Sequence, residues 1–96
     1  MSSVRVLKTF HTDGTIDETA KTMTFEAVQE FCGGYVVQVH AKDKKTFLFA
    51  NEDGLPLRLR PNPEATKLVD TKRSIVGPVG LVGNVVLVQR GSDERR

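Results

Sequence analysis

The sequence predicts a small single α+β domain, a largely antiparallel sheet of short strands with two short helices. Three observations carry this. β-branched and aromatic residues recur in short runs bounded by Gly, Asp, Asn and Pro. Two other stretches place apolar residues behind a helix-capping side chain. Finally, 96 residues with 39% hydrophobic and 27% charged side chains suffice for one core and not for two. The domain is expected to occupy residues 1–90, with 91–96 a polar tail.

Val4 to Phe10 is rich in strand formers and runs into Thr12-Asp13-Gly14. A three-residue loop with Gly14 in the left-handed region pairs 10 with 16, 8 with 18 and 6 with 20. That register sets Phe10 against Ile16 and Lys8 against Glu18, whereas a two-residue turn would set Phe10 against Asp17. Thr24 then caps a short helix whose Met23 and Val28 sit at the two staple positions. Phe25, Val28 and Phe31 share one face, and Gly33 ends the helix.

Gly34 releases the chain into a strand from Tyr35 to Ala41, with Tyr35, Val37, Val39 and Ala41 on one side. Lys42 to Lys45 is a charged turn leading into the strand Thr46 to Ala50. The loop Glu52-Asp53-Gly54 predicts a second hairpin, pairing Phe49 with Leu57 and Phe47 with Leu59. Its return strand would bury Leu55, Leu57 and Leu59 and expose Pro56, Arg58 and Arg60. Pro56 marks that strand as an edge or a bulge. Asn62 caps a second helix, with Pro63 at its first position, running to about Val69. After a polar link over 70–74, Ile75–Val82 and Val85–Gln89 read as strands joined by a turn at Gly83-Asn84.

Several function classes are excluded as expectations. One cysteine rules out a disulfide framework and a multi-cysteine zinc site. The longest nearly uncharged run, Ile75 to Val88, is too short to span a bilayer and carries three glycines and a proline. Met1 to Phe10 has no apolar leader core. No membrane association is expected, and a cytoplasmic setting is. His11, His40 and Cys32 form no recognised catalytic spacing, so the chain reads as non-enzymatic. Asp and Asn in the loops are explained by turn chemistry, and neither a metal nor a cofactor is expected. The glycines at 77, 80 and 83 lack the strand-turn-helix context of a phosphate cradle.

Charge is more suggestive. Residues 1–57 hold six Lys/Arg and eight Asp/Glu, but residues 58–96 hold eight and four. Arg58 and Arg60, two apart on the predicted strand, would present parallel guanidinium groups suited to phosphate or carboxylate. Lys72, Arg73 and Arg90 would extend this patch if the fold brought them to one side. Charges on an edge strand also discourage edge-to-edge aggregation, which accounts for Arg58 and Arg60 without a ligand. Gly14, Gly54 and Asn62 are expected as structural turn and cap residues.

Gly33-Gly34-Tyr35 before a Val-rich strand, Asn51-Glu52-Asp53-Gly54, Pro61-Asn62 with Ala65, and Ile75-Val76-Gly77 together resemble the domain of unknown function 3846 family. The similarity covers residues 30 to 88, and the chain departs from the pattern by a longer Leu55 to Arg60 segment. The resemblance implies a phage, plasmid or mobile-element accessory protein, acting in the host cytoplasm if phage-encoded. Two functions follow as expectations. One is a binding module for a host protein or a second copy, using the Arg58/Arg60 edge. The other is a binder of nucleic acid or a nucleotide-derived signal through the basic residues.

Overall fold

A computed structural model describes residues 3–54, 56–74 and 80–90. Six strands and two helices follow in the order β1 (Ser3–Phe10), β2 (Ile16–Asp17), β3 (Lys21–Thr24), α1 (Phe25–Cys32), β4 (Val36–His40), β5 (Thr46–Asn51), α2 (Pro63–Thr66) and β6 (Val85–Gln89). All strands pair antiparallel in the order β2-β1-β6-β5-β4, with β3 joining β2 on the outer side of β1. The α+β class and the antiparallel sheet are as the sequence predicts. The expected tail at 91–96 lies outside the described residues, as do Leu55 and 75–79.

The first hairpin forms as its loop chemistry demands. Phe10 faces Ile16, Gly14 is left-handed at φ 94°, and Lys8 reaches Glu18 at 3.9 Å. The expected pairing of 6 with 20 is off by one, because Val6 faces Lys21. An extra residue enters between Asp17 and Lys21, where the Asp17 carboxylate accepts the Thr19 amide at 2.9 Å and breaks the ladder. On its other side β1 carries a bulge between Val6 and Lys8 against β6.

β5 and β6 lie inside the sheet, which is why they lack polar alternation. Leu48 and Ala50 of β5 and Val85 and Leu87 of β6 face one layer, where α2 and its flanks supply Ala65, Val69 and Leu81. Phe47, Phe49, Val86 and Val88 face the other, where α1 supplies Val28 and Cys32. Three aromatic rings lock this second layer edge to face: Phe49 lies 5.1 Å from Phe47 and 5.7 Å from Phe25.

Thr24 accepts the Ala27 amide at 3.1 Å as the cap of α1, and Gly33, at φ 90°, donates to the Gln29 and Glu30 carbonyls. Gly33→Ala should therefore cost about 1 kcal/mol through left-handed strain. In thermal unfolding this would lower Tm by about 5 °C. An unchanged Tm would show that the cap is dispensable.

The second hairpin is not formed. β5 is bonded to β4 on one side and β6 on the other, so no edge remains for residues 55–60. Residues 56–58 instead form a turn, with Leu57 N–H donating to Asp53 O and Leu59 N–H to Gly54 O. Leu57 is 57% exposed, not buried. Gly54 has no positive φ; it is buried where a Cβ would strike Val82, so close packing demands the glycine. Pro56 belongs to a turn and marks no strand edge.

Asn62 caps α2, but the helix ends at Thr66, short of Val69, which bridges to Ala41. Val82 makes an isolated bridge to Pro61, and Ile75 to Val79 fall outside the described residues. Gly83-Asn84 is no hairpin turn: Asn84 ties the β1–β2 loop to the end of α1. Its Oδ1 accepts the Thr12 amide at 3.1 Å, and its Nδ2 donates to Phe31 O at 3.2 Å.

Candidate functional site

The antiparallel register assigns each basic residue to one end of the sheet. Thr46 pairs with Gln89, so the β4–β5 turn at 42–45 and Arg90 share one end. Phe10 pairs with Val85, so the loops carrying Thr12, Gly83 and Asn84 belong to the other. Five strand residues separate the two ends, roughly 17 Å.

Lys72 and Arg73 join the first end. Val69 bridges Ala41, and the Asp70 amide donates to His40 O at 2.9 Å, which docks the 69–74 turn beside the end of β4. There Lys42, Lys44, Asp70, Thr71, Lys72 and Arg73 line a cleft of about 550 Å³. Arg73 is the fixed member: its Nε donates to Asp70 at 2.9 Å and its Nη2 to Ala41 O at 3.3 Å. The Arg73 guanidinium, then the Lys72 amide, hold the Asp70 carboxyl below the usual carboxylate range. A folded pKa that is lowered means this brace is present at neutral pH and is lost as pH falls through the folded value.

Lys42, Lys44 and Lys72 are exposed and form no ion pair with another described residue. Among the described residues the cleft thus holds four cations against one carboxylate, and that carboxylate is already committed to the Arg73 guanidinium and the Lys72 amide. Arg90 extends the basic end on its far side. Its amide donates to Lys45 O at 2.7 Å, its Nε to Lys44 O at 3.2 Å, and its guanidinium lies 5.4 Å above the Phe47 ring.

Arg58 and Arg60 do not belong to this cluster. They line a smaller cleft of about 360 Å³ at the opposite end, with Thr12, Phe31, Gly33 and Asn84. Arg58 adopts φ 59°, the one left-handed residue other than glycine among those described. The expected parallel guanidinium pair on an edge strand is therefore corrected, because no strand presents it. The helix end beside this cleft, Phe31 and Cys32, carries the negative pole of α1, which disfavours an anion there. No family model matches this sequence, and neither a curated protein nor a solved structure does.

The remaining candidates are structural. Burial pushes the Cys32 thiol up to about 12, and its Sγ contacts Phe49 O at 3.7 Å, so it is a protonated core residue. His11 stacks edge to face on Phe31 at 5.1 Å. Among the described residues, no three His, Cys, Asp or Glu side chains gather as metal ligands. Nor is any helix among them long and apolar enough to cross a membrane. Gly14 and Asn62 serve the loop and cap expected of them. Sequence reasoning missed Lys42 and Lys44. Their signal was the charged run 42–45, whose partner run at 72–73 becomes visible only when the bridge between Ala41 and Val69 is known.

Proposed function

We propose that this protein is a small binding module for a polyanionic ligand, held by phosphate groups at the basic end of the sheet. The cleft between the β4–β5 turn and the 70–73 turn supports this reading most. Among the described residues it gathers three lysines around a pre-set guanidinium, with one carboxylate that is internally paired. Among the described residues no aromatic side chain lines the cleft. A stacked base therefore has no platform, and the phosphates carry the contact. A phage or mobile-element accessory role in the cytoplasm is compatible with such a module.

The test is fluorescence anisotropy with a labelled single-stranded oligonucleotide, and inorganic polyphosphate as competitor. Lys44→Glu with Lys72→Glu should weaken binding at least tenfold, taking about 1 kcal/mol for each exposed charge contact. It should also reduce the slope of log affinity against log salt by about 2. Arg58→Glu with Arg60→Glu should leave both quantities nearly unchanged. Absence of binding by the native chain, or loss on the second pair alone, would overturn the assignment.

A further inference from the structure

β4 is an outer strand, and hydrogen-bond parity fixes which of its residues face outward. The Glu52 amide donates to Tyr35 O at 2.8 Å, so Tyr35, and with it Val37 and Val39, bond inward to β5. Val36, Gln38 and His40 then turn their N–H and C=O groups away from the sheet. His40 is covered: its amide donates to Ser74 Oγ at 2.8 Å, and its carbonyl accepts the Asp70 amide at 2.9 Å. Val36 and Gln38 are given no such cover by the described residues.

Natural edges of this kind are usually blunted by charge, proline or a bulge. Here the chain from Tyr35 to Ala41 carries no charged residue, no proline and no glycine. Tyr35 is 73% exposed and Val37 44%, two of the four large hydrophobic side chains that stand out among the described residues. The apolar surface and the open backbone groups therefore coincide on one short strand.

We propose that this edge pairs with the same edge of a second copy of the chain, antiparallel, about a twofold axis at Val37. The register follows from the two open residues. Val36 of each copy exchanges both backbone hydrogen bonds with Gln38 of the other, making four bonds across the axis. Val37 then meets its own symmetry mate as a non-hydrogen-bonded pair, and Tyr35 lies across from Val39. The 70–74 turn already occupies the place beside the covered residue, His40, so pairing stops at Val39 and the partner strand leaves the sheet at Gly34, whose φ of 152° is open to glycine. A register centred on Gln38 would need His40 to give up its bonds to Ser74 and Asp70, and is excluded. A second copy fits the edge because the paired stretch sets no like charges against each other. Lys42, Lys44, Lys72 and Arg73 form none of the proposed pairs, so the proposal stands independently of ligand binding.

Sedimentation equilibrium and disulfide trapping test it. A single short strand pair buries little area, so dimer should become evident on the order of 100 µM. Val37→Lys should leave the chain folded and monomeric throughout. Val37→Cys should cross-link under mild oxidation at least about tenfold faster than Gln38→Cys, because only position 37 meets its own mate within bridging distance. Cys32, a buried thiol, serves as an internal bystander. A native chain that remains monomeric at about 1 mM, equal cross-linking at the two positions, or pairing only with a foreign extended peptide would each overturn the proposal.

Discussion

Asn62→Ala should lower unfolding stability by about 3 kcal/mol, the largest loss expected from a single polar side chain here. Asn62 is 1% exposed, and its amide joins three separate parts of the chain. Nδ2 donates to Phe10 O at 3.0 Å and to Gly83 O at 2.9 Å, while Oδ1 accepts the Ala65 amide at 3.3 Å. The end of β1, the approach to β6 and the start of α2 thus meet on one group. Alanine would leave two buried carbonyls and one helix amide without partners, each costing about 1–3 kcal/mol before relaxation. Asn62→Asp separates the two halves of the role. It keeps the cap on Ala65 but turns a carboxylate oxygen toward two carbonyls, so at neutral pH it should be at least as damaging as alanine. Protonation restores one donor, so stability should recover as pH falls toward about 4. Urea unfolding across pH reads both effects. A loss below about 1 kcal/mol for Asn62→Ala would mean that water replaces the side chain.

The cap of α2 was legible because Asn-Pro-Glu is a local signal. The two carbonyls that Asn62 also binds were not, since they lie 52 and 21 residues away. The same division runs through the molecule. Thr24, Gly33 and the Thr12-Asp13-Gly14 loop act over a few bonds, and each behaves as its chemistry dictates. Failure came where a local signal competed with a distant one. The x-Asp-Gly triplet at 52–54 resembles the one at 12–14, but β5 already has neighbours on both edges, supplied by β4 and β6. That competition also divided the basic residues. Residues 58 and 60 follow the turn at one end of β5, while 72, 73 and 90 return to the other.

The central position of β5 gives the second large effect. Leu48→Ala should cost about 3 kcal/mol, while Leu57→Ala should cost less than about 0.5 kcal/mol. Leu48 is fully buried among Val39, Ala50 and Leu87, with strands bonded on both sides of it, so the cavity cannot collapse by moving an edge. Leu57 sits on an exposed turn, where truncation removes little burial. A hairpin between 47–49 and 57–59 would order these two residues differently. Leu57 would then be a buried cross-strand partner of Phe49, and its truncation would cost on the order of 2 kcal/mol. Paired denaturation curves at one pH therefore decide between two architectures for the same nineteen-residue segment, 47–65. The same ratio bears on the edge. With β5 central, β4 ends the strand order, and the outward groups of Val36 and Gln38 meet no partner among the described residues. If Leu57 were instead the costly site, β5 would have surrendered a neighbour, and the proposed β4 pairing would lose its footing with it.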